Sequence, residues 1–267
     1  EDFVQAMADV SGRDLTPFKR WYDQAGTPRV KVTDHYHEDT RQYSLTFSQS
    51  TPPTPECSDK KPFHIPIAMG LLGSAGELAL KLEGEELTDL PEDNTHKVLE
   101  LTEAEQTFVF NDVPEHPVPS LLRGFSAPVK LSFAYSRQDL AELIQRDSDG
   151  FNRWEASQNL ALAVLDDAIV AYQRGSLESF SVDPMLIDSY RELLGNAELD
   201  QAMVALMLTL PSQDYIAEQY EVVDVEAIYT ARRLLAKTIA RELGDAFRAV
   251  LKRYDNTQPY RADADAI

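Results

Sequence analysis

A chain of 267 residues, 43% of them hydrophobic and 26% charged, has room for two domains of ordinary size and the apolar content to fill two cores. Its formal charge of −20 is spread along the chain, about −2 over residues 1–26, −8 over 27–134 and −10 over 135–267, and no stretch gathers the Lys and Arg that nucleic acid or an anionic membrane surface requires. The single cysteine, Cys57, excludes an internal disulfide framework and fits a reducing cytoplasm, and the apolar runs fall short of a membrane span.

Residues 1–10 place Phe3, Val4, Met7 and Val10 on one helical stripe, ended by Ser11-Gly12. A second short helix follows, with Asp14 as N-cap, Pro17 in its first turn and Gly26 where a left-handed C-cap would stand. Its aromatic residues Phe18, Trp21 and Tyr22 need something to pack against, and within this chain the next domain is the available surface. The chain does not open on methionine. The helix pair reads as the end of a domain whose earlier part, with any active centre, is expected upstream.

From Pro28 to about Ala134 the period is two. Arg29 to Thr33 begins an alternating strand, Tyr43, Leu45 and Phe47 alternate with Ser44, Thr46 and Ser48, and Phe63, Ile65 and Ile67 alternate with His64, Pro66 and Ala68. Further strands are expected over Leu78–Leu82, Val98–Leu101, Gln106–Phe110, Ser120–Leu122 and Val129–Phe133. Turn residues separate them at Gly70, Gly73, Gly76 and Gly84, in the Pro91–Asn94 cluster and between Pro114 and Pro119. Short strands in close succession with no helix between them imply an antiparallel β-sandwich of immunoglobulin-like size, although the cysteine pair and central tryptophan of antibody domains are absent.

After Ser136 the period becomes 3.6. Ser136 and Asp139 form a capping-box pattern ahead of Leu140, Leu143 and Ile144. Residues 151–172 form a long amphipathic helix carrying Trp154, Leu160, Val164 and Ile169, stopped near Gly175. Asp183-Pro184 opens the next helix and Gly195 closes it. Helices are expected at Glu198–Leu210, Ser212–Tyr220 and Val225–Tyr254, the last with a break at Gly244. Short connections imply stacked antiparallel pairs, a solenoid-like α-helical array without a fixed-period repeat. The tail from Asp255 to Ile267 is polar. The expected organisation is thus two short helices over 1–27, the β-sandwich over 28–134 and the helical array over 135–267.

Motifs that would carry chemistry are missing. His37-Glu38-Asp39-Thr40-Arg41 has arginine where a second zinc-ligating histidine would stand, and it falls in a turn. His35 and His37 share a strand face and could coordinate a metal, but solvated side chains are the simpler reading. His64, His96 and His116 are isolated. The glycine-rich stretch from Gly70 to Gly76 joins strand to strand, so a hairpin explains it better than a phosphate loop, which needs a helix N-terminus. Asp166 and Asp167, adjacent on a helix, point about 100° apart and cannot share a proton. Arg232-Arg233 could grip a carboxylate, but an exposed helix face explains them equally. Cys57 has no basic neighbour to lower its pKa. No residue stands out as catalytic, cofactor-binding or metal-ligating.

Six ordered blocks carry a family resemblance. They are Glu1-Asp2-Phe3-Val4-Gln5-Ala6-Met7, Phe18 to Pro28 (Phe-Lys-Arg-Trp-Tyr-Asp-Gln-Ala-Gly-Thr-Pro), Ser50-Thr51-Pro52-Pro53-Thr54-Pro55, Glu105-Gln106-Thr107-Phe108-Val109-Phe110, Phe125-Ser126-Ala127-Pro128-Val129-Lys130-Leu131 and Phe151-Asn152-Arg153-Trp154. The chain resembles the bacterial aminopeptidase N family over essentially its whole length. That resemblance implies a zinc metallopeptidase that releases single N-terminal residues from peptides. It also implies that residues 1–27 are the last helices of a catalytic domain, 28–134 a small sandwich, and 135–267 the first part of a helical domain that encloses the active site. The family's His-Glu-x-x-His motif, its Gly-x-Met-Glu-Asn segment and its catalytic tyrosine match no position here. The segment is therefore expected to be inactive alone, without metal or cofactor of its own, and to have the upstream catalytic domain as its intramolecular partner. The alternative is a free-standing module in which sandwich and array bind a peptide or protein.

Overall fold

The computed structural model describes residues 2–85 and 94–254 and divides the chain into two compact units, Glu1–Ala156 and Ser157–Ile267. The expected turn at Pro91–Asp93, Glu86 and the tail from Asp255 lie outside the described residues.

The first unit opens on α1 (Asp2–Ser11) and α2 (Thr16–Asp23). Leu15, not the expected Asp14, stands at the N-cap of α2, without a side-chain cap; the Asp14 carboxylate one residue earlier accepts from the Thr16 N–H at 2.9 Å, and that bonding holds its pKa below the ordinary value. The exit differs from the expected left-handed cap. Gln24 is extended, with its N–H on the Arg20 carbonyl, and Gly26, at φ 105°, turns the chain toward the first strand, which begins three residues later.

Two sheets face each other. One has the order β6-β2-β1-β8, with β1 Arg29–His37, β2 Gln42–Ser50, β6 Glu105–Phe110 and β8 Lys130–Ser132. β1 and β2 form a hairpin from Arg29 opposite Ser50 to His37 opposite Gln42, and β8 joins β1 in parallel, the one departure from an antiparallel sandwich in the described pairings. The other sheet centres on β3 (Ile65–Gly73), which pairs with β4 (Gly76–Glu77), β5 (Lys97–Leu101) and β7 (Val118–Leu121). Alternation makes the core: Tyr43, Leu45 and Phe47 from β2 are fully buried and meet Ile65, Ile67, Met69 and Leu71 from β3. Each such side chain contributes roughly 1.5–3 kcal/mol by leaving water.

Two stretches depart from simple alternation. Leu78–Leu82 is not a strand but a crossing between sheets: the Leu78 N–H bonds Leu71 of β3, and Leu82 bridges to Phe110 of β6, with Leu80 fully buried between them. β3 is buried on both faces, with Arg123 lying over Gly70 on its outer side and Ser126 bonding its edge. The Ser126 hydroxyl accepts from the Ala68 N–H and donates to the Pro66 carbonyl, both at 3.0 Å. The unit ends with α3 (Arg137–Arg146), whose Ser136–Asp139 capping box is formed, and the first residues of α4 (Gly150–Gln173).

The second unit continues α4 and adds α5 (Pro184–Gly195), α6 (Gln201–Met207), α7 (Gln213–Ala217), α8 (Val225–Glu242) and α9 (Gly244–Arg253). Side-chain oxygens of Asp183, Asp200, Ser212 and Asp224 cap α5 to α8. α4 ends as a Schellman motif: Gly175, at φ 69°, donates to Tyr172 and Ser176 donates to Ala171. α6 is shorter than the expected Glu198–Leu210, starting only after its Asp200 cap and ending at Met207. The break at Gly244 separates α8 from α9. Leu160, Val164, Leu186, Tyr190, Ile228 and Leu235 are among its buried core, with α5 packed on α9 and α7 on α8.

Candidate functional site

The most concentrated polar chemistry in the first unit is a buried cluster around Arg123, 5% exposed. It is built by an unusual backbone turn after β7, where Leu122, Gly124 and Phe125 all take positive φ (57°, 61° and 53°). Left-handed conformations of non-glycine residues cost about 1–3 kcal/mol each and persist only where the surroundings enforce them. This turn directs the Arg123 side chain across Gly70 of β3, where a Cβ atom would lie 2.3 Å from the guanidinium carbon. Arg123 Nε donates to Ser120 Oγ at 2.8 Å, while Nη2 donates to Glu77 Oε1 at 2.8 Å and to Asp147 Oδ1 at 3.1 Å.

Residues following α3 complete the cluster. Asp147 Oδ1 also accepts from the Asp149 N–H, Asp149 Oδ2 accepts from the Gly124 N–H, and Asn152 Nδ2 donates to Ser120 Oγ at 2.7 Å. The Ser148 hydroxyl donates to Glu77, and Arg146 donates to the Gly73 and Ser74 carbonyls at 2.9 and 2.7 Å. Burial pushes the Asp147 carboxyl above the usual range despite Arg123. For Glu77 burial pushes the same way, but hydrogen bonds from Ser148 and Thr95 and the Arg123 charge outweigh it and hold the carboxyl low. The cluster ties sheet, turn and helices together. The sequence signals were a glycine and an arginine flanked by apolar residues: Gly70, expected as a turn residue, lies inside β3, where a glycine marks close approach, and Arg123 had not been singled out.

A second construction fixes α2 to the sandwich. Trp21 packs on Phe63 with ring centroids 4.4 Å apart and donates from Nε1 to the His64 carbonyl at 3.0 Å. Gln24 exchanges hydrogen bonds with both main-chain groups of Lys61, Arg20 donates to the Pro62 carbonyl and Lys60 to that of Ala25. The expected packing of the aromatics therefore holds for Trp21 alone. Tyr22 is 70% exposed, and on α1 Phe3, Met7 and Val10 are 74, 50 and 91% exposed, with only Val4 buried.

The residues weighed for chemistry remain scattered. His35 and His37 lie exposed on β1 with their rings edge-to-face at 4.1 Å, and Glu38–Arg41 is the β1–β2 turn. His64 Nε2 sits 3.5 Å from Glu100, and His116 Nε2 sits 3.3 Å from Asp34, which also accepts from the buried Tyr43 hydroxyl. Cys57 Sγ contacts the Asp59 carbonyl. Asp166 accepts from the Tyr220 hydroxyl, Arg232 grips the Pro211 carbonyl and Arg233 the Tyr229 hydroxyl. Gly70–Gly76 contains the β3–β4 turn. Among the described residues no three His, Cys, Asp or Glu side chains gather as metal ligands, so the side chains described do not fit a zinc ion. No helix among them is long and apolar enough to cross a membrane.

Two family descriptions match this architecture: a DUF3458 domain with an Ig-like fold over residues 26–134 and a DUF3458_C domain of ARM repeats over residues 137–267. The class is therefore an Ig-like domain followed by an ARM-repeat domain. Aminopeptidase N of Escherichia coli is 41% identical over the whole chain, which covers 30% of that protein, and aminopeptidase N of Caulobacter vibrioides is 38% identical, with 29% covered. The crystal structure of Legionella pneumophila aminopeptidase A in complex with aspartic acid superposes with a TM-score of 0.79 at 31% identity, over 98% of this chain and 28% of that one. Over its whole length the chain is similar to aminopeptidase N, and it spans less than a third of the length of these relatives.

Proposed function

We propose that the chain is the non-catalytic central and C-terminal part of a cytoplasmic zinc aminopeptidase that removes single N-terminal residues from peptides. In this reading residues 1–27 are the last helices of the catalytic domain, 28–134 the supporting sandwich, and 135–267 the start of the helical domain that closes over the active site. Zinc, the water it activates and the general base belong to the upstream domain. The observation that carries the reading is the two-sided character of the helix pair. α2 is hydrogen-bonded to the sandwich along one side, while Phe3, Met7 and Val10, spaced at i, i+4 and i+7 on α1, face solvent in this chain. An apolar stripe of that kind is a surface made to be covered, and an upstream catalytic domain is the covering body proposed here.

The experiment mixes the purified chain with the separately expressed upstream portion of the parent polypeptide. A one-to-one complex is expected, and Phe3→Glu with Met7→Glu abolishes it. The chain alone with zinc and an aminoacyl chromogenic substrate gives no turnover. Hydrolysis by the chain alone, or an upstream portion that ignores it, overturns the reading.

A further inference from the structure

The two family matches meet between residues 134 and 137, yet the compact unit holding the sandwich continues to Ala156. Residues 137–156, assigned by pattern to the helical domain, therefore fold with the sheets. The links responsible draw on both sides of that boundary. Gly70, Glu77, Ser120 and Arg123 come from the sandwich, and Asp147 and Asn152 from the helical sequence. Arg146 adds a connection to the β3–β4 turn, and Asp149 one to the Gly124 amide.

We propose that the Arg123 cluster is a lock that makes α3 and the first residues of α4 part of the sandwich body. Three features separate a lock from an incidental ion pair. The backbone at Leu122 and Phe125 is held in a strained conformation whose effect is to turn Arg123 inward. β3 carries a glycine where any side chain would occupy the guanidinium's position. Asp147 Oδ1 serves both Arg123 and the Asp149 amide that begins the approach to α4, so one carboxylate orients the arginine and the helix entry together. A buried charge pair adds little stability over an apolar pair of equal volume, but it tolerates only one geometry, and a lock needs that property. The lock does not rest on the aminopeptidase reading.

Hydrogen exchange on the whole chain tests it. In Asp147→Ala the amides of Leu140–Arg146 and Asn152–Ala156 exchange about tenfold or more faster, while those of β2 and of α8 keep their protection. The double variant Arg123→Met with Asp147→Leu replaces the charges by apolar groups and guards against loss of folding in the first. It keeps sandwich protection and still loosens α3 and the start of α4. Wild-type exchange at α3 and α4 in either variant overturns the lock. So does a loss in the double variant spread evenly over residues 2–156. Peptidase activity, present or absent, moves none of these readouts.

Discussion

Gly70→Ala tests how tightly Arg123 is held. The added Cβ would stand 2.3 Å from the guanidinium carbon and 2.4 and 2.5 Å from its terminal nitrogens, more than 1 Å inside ordinary contact. The guanidinium cannot swing into solvent, since Arg123 is 5% exposed and bonded to Ser120, Glu77 and Asp147 at 2.8 to 3.1 Å. A shift of about 1 Å stretches those bonds beyond hydrogen-bonding range, and a charge left buried without partners costs about 3–5 kcal/mol. Truncating the arginine instead removes the obstacle. We therefore expect Gly70→Ala to cost about 3–4 kcal/mol, and much less, about 1 kcal/mol, when made in an Arg123→Met background. The assay is urea unfolding followed by tryptophan fluorescence. The chain has two tryptophans, Trp21 and Trp154, and both lie in the first compact unit, so the signal reports that unit alone. A neutral Gly70→Ala, or costs that simply add in the double variant, would refute the reasoning.

Trp21→Ala should destabilise the first unit by about 2–3 kcal/mol through the lost ring contact with Phe63 and hydrogen bond to His64, while Trp21→Phe loses about 1 kcal/mol, as read by urea midpoints from far-UV circular dichroism. Tyr43→Phe removes a buried hydroxyl that donates to Asp34 at 3.0 Å and should cost about 1.5–2 kcal/mol in the same measurement. Glu77 has a folded-state pKa below its ordinary value of 4.5, so its stabilisation is present above that pH and is lost as pH falls through the folded value. Urea midpoints at pH 6 and pH 3 should therefore fall less in Glu77→Gln than in the wild type, with Asp147, raised by burial, acting in the opposite direction in both. Ser136→Ala breaks the capping box of α3 and should cost about 1 kcal/mol, with exchange rising first at the amides of Asp139 and Leu140.

Much of the fold is local, and local patterns are legible. Tyr43, Leu45 and Phe47 point inward because a strand alternates, and Gly175 stops α4 because glycine takes φ 69° without strain. The N-caps at Ser136, Asp183 and Ser212 fall where their side chains can reach the first turn, independent of anything distant. Leu78–Leu82 misled for the same reason: its apolar spacing is strand-like, and only the presence of a second sheet turns it into a crossing. The α1 stripe was read correctly as apolar, but periodicity cannot say whether a surface arrives to cover it.

What composition and periodicity determined by themselves is the succession of helix pair, sandwich and helical array, since each depends on side-chain repeats within a few residues. Only the tertiary structure decided that Gly70, Glu77, Arg123 and Asp147, spread over 78 positions of the chain, form one polar cluster, and that the compact body extends to Ala156. The reason is physical. A buried charge is tolerable only when opposite charges and hydrogen bonds surround it, and such partners are chosen by proximity in space, which spacing along the chain does not encode.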